Sequence, residues 1–191
     1  NTTGNNNTSV GANALCSNTT GGYNTAVGSS ALCSNTTGCC NTAVGYCALA
    51  LNTTGRLNVA LGSCTLKANV TGYCNIAIGN KAAANATQAR NAIAIGTEAL
   101  ASGAIGTNSS YQIAIGYGAQ KMATGDYSIG VGIQTLLSNT AESITAVGSY
   151  ALRNNTTGTM NSAFGQRALC GNTTGVNNTA VGVCALKTNT T

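Results

Sequence analysis

The residues of this chain best equipped for covalent chemistry are its nine cysteines, at positions 16, 33, 39, 40, 47, 64, 74, 170 and 184. Histidine is absent, and only three carboxylates (Glu98, Asp126, Glu142) are present. General acid–base catalysis needs a paired carboxylate or imidazole, and three scattered acids form no evident pair. No Cys-x-x-Cys or histidine accompanies the thiols as a zinc site would require. The expectation is no enzyme, no metal and no cofactor, with the thiols left for disulfides or packing.

The cysteines fall at fixed phases of a repeat. A glycine closing a small-apolar run recurs at Gly11, Gly28, Gly45, Gly62, Gly79, Gly96, Gly116, Gly132, Gly148, Gly165 and Gly182. The first five steps are of 17 residues and the later ones of 20, 16, 16, 17 and 17, with an extra Ala104-Ile105-Gly106 inside the step of 20. Such a period is too short for a helical-pair repeat and fits one coil of a β-solenoid. Cys16, Cys33 and Cys170 lie five residues past their glycine, and Cys47, Cys64 and Cys184 two past it. Cys16 then stacks on Cys33, and Cys47 on Cys64, at a coil spacing of about 4.8 Å, inside the Cα range of roughly 4.4–6.8 Å for a disulfide. These four are candidate disulfide residues. The alternative is that cysteine replaces Ala or Ser as a small apolar filler. The odd number leaves at least one thiol free or paired between chains.

Each glycine follows a run such as Thr25-Ala26-Val27 or Ile93-Ala94-Ile95, in which β-branched residues alternate with small ones, as in a short strand. An Ala-Leu pair comes next (Ala31-Leu32, Ala48-Leu49, Ala151-Leu152), followed by an Asn-Thr-Thr-Gly turn at Asn18, Asn35, Asn52, Asn155 and Asn172, with a variant at Asn69. Two short parallel strands and two turns per coil are expected. Val27, Val44, Val147 and Val181, with Leu32, Leu49, Leu152 and Leu186, form the expected core ladder. Stacked asparagines would bond their copies above and below, and an alanine-rich face would let other chains approach closely. The fold class is therefore all-β, a parallel β-roll or β-solenoid of eleven to twelve coils, a rod on the order of 55 Å long.

Residues 1–191 read as a single array, irregular over about 80–132, where the turn motif drifts and a binding loop would fit. The chain opens and stops inside its own repeat, like a window of a longer molecule. No apolar run approaches the roughly 18 residues of a membrane helix. Eight basic residues give a net charge of +5 but are never adjacent, so no nucleic-acid stripe is expected. Asn-x-Ser/Thr sequons make Asn18, Asn35, Asn52, Asn69, Asn155 and Asn172 candidate glycosylation sites in a secretory pathway; the other reading is a turn that happens to spell a sequon.

The run Asn91–Gly116, NAIAIGTEALASGAIGTNSSYQIAIG, resembles the head repeats of trimeric autotransporter adhesins, and the NTAVG…AL…NTTG coils resemble repeats of phage and large-virus tail or surface fibres. The resemblance implies a left-handed β-roll, a homotrimer and an extracellular place on a virion or cell surface. It also implies a structural or adhesive fibre role, with a host or surface receptor, glycan or protein, as partner. The 17-residue coil, longer than in those heads, and the cysteines depart from the adhesin pattern. A passive filament subunit, glycosylated or disulfide-linked, is the alternative. Left-handed β-helix acyltransferases use six-residue units and usually a histidine, so they do not fit. An ice-binding solenoid is a remote reading, since the paired threonines are adjacent and point to opposite sides.

Overall fold

A computed structural model describes residues 2–102 and 110–191. The inserted Ala104-Ile105-Gly106 lies outside the described residues. Three-residue strands recur once per coil: β1 (Thr8–Val10), β2 (Thr25–Val27), β3 (Thr42–Val44), β4 (Val59–Leu61), β5 (Ile76–Ile78) and β6 (Ile93–Ile95). They continue as β7 (Ile113–Ile115), β8 (Ile129–Val131), β9 (Thr145–Val147), β10 (Ser162–Phe164) and β11 (Thr179–Val181). All eleven form one parallel sheet in chain order, and the described residues contain no helix. The chain is a β-solenoid of about 17 residues per turn. Register holds everywhere: Ala26 stacks on Ala43, and Ile93 on Ile113 across the step of 20. Irregular steps are therefore absorbed in the turns, because a slip of one residue would invert every strand side chain.

Each coil contains one strand, not the two expected. On the Ala-Leu side the backbone is left-handed at two residues out of three, as at Ser30 (φ 58°) and Leu32 (φ 50°). Their amides point to opposite neighbours: Ser30 N–H donates to the Ala12 carbonyl at 2.8 Å, and Leu32 N–H to the Ala48 carbonyl at 3.0 Å. Stacking thus pairs the backbone without extended conformation. Left-handed residues cost roughly 1–2 kcal/mol each, which the satisfied coil-to-coil bonds must offset.

The core differs from expectation in one half of its ladder. Leu32, Leu49 and Leu152 are fully buried, but the strand residue facing them is the central alanine, Ala26, Ala43 or Ala146. Val27 and Val147 are half-buried and Val44 and Val181 exposed, so these valines belong to the outer surface. Leu186, in the last coil, is also half open, with no further coil over it. Strand alternation allows either parity. Leucine decides, because it fills a thin cross-section and leaves room only for a methyl opposite. The alanine row is accordingly this chain's own interior, not an approach face for another chain.

Two asparagine columns run through that interior. Asn35 Nδ2 donates to Asn18 Oδ1 and Asn52 Nδ2 to Asn35 Oδ1, both at 2.8 Å, while each also holds its own turn, as Asn35 does through the Gly38 carbonyl at 2.9 Å. In the second column Asn41, Asn58 and Asn75 repeat the pattern at 2.9–3.1 Å. The corner glycines close the coil: Gly28 has φ +128°, and a Cβ there would meet the Gly45 carbonyl oxygen at 2.7 Å. Between β7 and β9 the columns change composition together. Gln120 takes the leucine place and bonds the Ile113 and Ser128 carbonyls at 2.9 and 3.2 Å. Gly130 takes the alanine place opposite, where a Cβ would sit 3.0 Å from Gln120 Cγ.

Candidate functional surfaces

Three surfaces carry residues that a stack of plain coils would not require. The first is the outer face of the sheet. The two end residues of every strand point outward, so they form two columns along the rod. Over β4–β8 both are aliphatic: Val59/Leu61, Ile76/Ile78, Ile93/Ile95, Ile113/Ile115 and Ile129/Val131. Ile76, Ile78 and Ile115 are between 36% and 41% exposed. A contiguous two-column patch of aliphatic residues is uncommon on a monomer surface. At the ends of the array the first column becomes Thr25, Thr42, Thr145 and Thr179 beside valines. The outward pair is Thr-x-Val, so no Thr-x-Thr array of the ice-binding kind stands on the strands. In the turns the first threonine is used internally: Thr36 Oγ1 donates to the Thr53 carbonyl at 3.1 Å.

The second surface is a ribbon of thiols. Cys16 and Cys33 lie one coil apart with their sulfurs 3.1 Å from each other. The two thiols are inequivalent. The hydrogen bond from Cys33, with a smaller one from Ser17, pulls the exposed Cys16 below the usual thiol range; the same bond and burial push Cys33 up. Cys47 and Cys64 stand in the next column at left-handed positions (φ 52° and 54°). Cys170 and Cys184, which share these phases, lie in the last two coils, 14 residues apart as Cys33 and Cys47 are.

The third surface gathers charge that looks scattered along the chain. All four arginines lie over tyrosine rings: Arg56 and Arg90 at 4.9 and 5.5 Å from the Tyr73 ring centre, Arg153 and Arg167 at 5.7 and 5.9 Å from that of Tyr150. Three of the four lysines, Lys67, Lys81 and Lys121, line one groove of about 350 Å³ together with Glu98. Lys121 Nζ is 2.6 Å from Glu98 Oε2. That hydrogen bond holds the Glu98 carboxyl below its ordinary range and Lys121 above its own. Along the sequence these lysines are never adjacent to another basic residue. Their phases, five, two and five past the repeat glycine, carry the same signal that brought Cys16 to Cys33.

The sequon asparagines are not a surface. Asn35, Asn52, Asn69, Asn155 and Asn172 are wholly buried and Asn18 almost so. The Nδ2 that a glycan would modify donates to a carbonyl in each, as Asn172 does to Gly175 at 3.0 Å. Burial and bonding exclude a glycan at these six positions in the folded coil, so the motif acts here as a turn. Among the described residues no group of three His, Cys, Asp or Glu is placed to hold a metal ion, and no helix is long and apolar enough to cross a membrane. No protein-family model, curated protein or solved structure matches the chain.

Proposed function

We propose that this chain is a rigid fibre segment, a left-handed β-roll that associates with identical copies as a homotrimer and serves as a structural or adhesive element on a virion or cell surface. The observation that carries the reading is the uninterrupted aliphatic outer face over β4–β8. Its side chains repeat at the coil spacing, about 4.8 Å. A second array of the same period can match them coil for coil, which an irregular globular partner cannot. Stacked backbone bonds and buried Asn columns supply stiffness along the axis. The position of the face also moves the contact surface from the alanine row to the Thr/Val and Ile/Ile columns.

Native mass, measured with and without reductant, tests this reading. The expected result is three chain masses, unchanged by reductant, falling to one in an Ile78→Glu/Ile115→Glu variant whose circular dichroism is unaltered. A monomeric native chain would sink the proposal. A large polymer released by reductant would favour the passive, disulfide-linked filament instead.

A further inference from the structure

The lysine groove has a simple origin in the repeat. Lys67, Ala84, Ala101 and Lys121 occupy the same phase of successive coils, five past Gly62, Gly79, Gly96 and Gly116. Two methyl groups between two long side chains leave a trough, with Ala84 and Ala101 as floor and the lysines at its ends. Cys64, Lys81 and Glu98 line it, as do Asn85 and Ser102. Backbone bonds fix the floor: Ala68 N–H donates to the Ala84 carbonyl at 2.9 Å, and Ser102 N–H to the Lys121 carbonyl at 2.7 Å.

Three cations face one carboxylate there. Glu98 engages Lys121 and also feels Lys81. Among the described residues, however, neither Lys67 nor Lys81 has a carboxylate within ion-pair distance. The groove therefore holds uncompensated positive charge beside a neutral amide and a hydroxyl. Its volume falls at the small end of ligand sites, about 300–1,000 Å³. Ammonium groups hold carboxylate, sulfate or phosphate as point charges, without the planar bidentate fork that arginine would supply. The arginines are instead placed over Tyr73 and Tyr150. Among the described residues no aromatic ring lines the groove, as base stacking would require.

We infer that the trough between Lys67 and Lys121 binds the acidic sugar unit of a glycan, its carboxylate or sulfate held by Lys67 and Lys81 and its hydroxyls facing Asn85 and Ser102. This rests on the reading of the rod as an attachment element and names the chemistry of what it attaches to. One such site is weak, and display of several copies on an assembly would raise avidity.

The test is titration of the native assembly, followed by NMR or calorimetry. The probes are a uronic-acid disaccharide, its sulfated form, a neutral disaccharide and inorganic sulfate. The expected result is saturable binding of one or both acidic disaccharides, weakened by added salt, with no response to the neutral sugar. The arm that binds more tightly distinguishes a carboxylate from a sulfate ligand. Lys67→Gln/Lys81→Gln should weaken binding about tenfold or more; Ala84→Glu, which keeps both lysines but fills the floor with a like-charged competitor, should abolish it. Lys187→Gln, remote from the groove, should change nothing. Absence of binding, equal binding of the neutral sugar, inorganic sulfate binding as tightly as the disaccharides, or equal loss in Lys187→Gln would each overturn the inference. A chain that assembles normally but binds no acidic sugar removes the site and leaves the fibre reading intact.

Discussion

At the scale of single residues, buried amides do the work that larger side chains do in ordinary cores. Asn35 satisfies three partners at once: its own turn through Gly38, Asn18 on one side and Asn52 on the other. Asn35→Ala should lower stability by about 1–3 kcal/mol, because it strands buried acceptors and donors. Asn154→Ala, at an exposed position beside the equivalent Asn155, should stay within about 0.5 kcal/mol; denaturant midpoints of the two variants make the comparison. Cys16 and Cys33 are the second residue-scale device. With oxidised glutathione, the Cys16 thiolate should attack and expel one glutathione thiolate. Cys33 should then attack the Cys16 sulfur and expel the other, leaving the chain two hydrogens lighter by mass. Cys16 should also be the faster of the two to alkylate at neutral pH, since its thiol is held low and that of Cys33 high. Equal rates at the two would contradict the asymmetry.

At the scale of the coil, conformation selects residue type. Among the described residues, none of the non-glycine residues with positive φ is Val, Ile or Thr, although these types fill the strands. β-Branched side chains tolerate left-handed backbone least. The fixed leucine after alanine therefore reports a backbone state as well as a core position. Leu49, fully buried at φ 51°, makes the test. Leu49→Met keeps an unbranched β-carbon and should cost less than about 1.5 kcal/mol. Leu49→Ile, an isomer of the native residue, should add the strain of a branched β-carbon in the left-handed region, roughly 1–2 kcal/mol more. Equal unfolding midpoints for the two variants would mean that the leucine is chosen for packing alone. The period, the asparagine columns and the leucine row were all legible in the repeat. The left-handed backbone was not, because leucine has no preference for it and the other left-handed positions are filled by residues as different as Asn, Tyr, Ser and Cys without a common motif.

At the scale of the whole rod, contacts run along the axis and charge contributes little. There is no histidine to titrate between pH 5 and 8. The Glu98–Lys121 pair gives an electrostatic signature with a definite sign. The depressed Glu98 pKa contributes stability above the ordinary carboxylate range, lost as pH falls through the lower folded value. The raised Lys121 pKa contributes stability below the ordinary lysine range, lost as pH rises through the higher folded value. Melting temperature should thus be level from about pH 5 to 8, and Glu98→Gln should flatten the acid limb by lowering the plateau slightly toward the low-pH value. A melting curve that climbs or drops across neutral pH would contradict this picture.

What the sequence determined by itself was the one-dimensional order: a 17-residue period, parallel stacking, and Asn and Leu in fixed columns. Periodicity alone aligns like with like, so every residue's neighbours above and below could be read directly from its number. What only the tertiary structure decided was the radial direction. A strand alternation has two equivalent parities, and only the space left beside Leu32 and its copies turned Ala26 inward and Val27 outward. The same closure of the coil buried the sequon asparagines and brought lysines 14 and 40 residues apart to one groove, since phase around the coil, and not distance along the chain, sets which side chains meet.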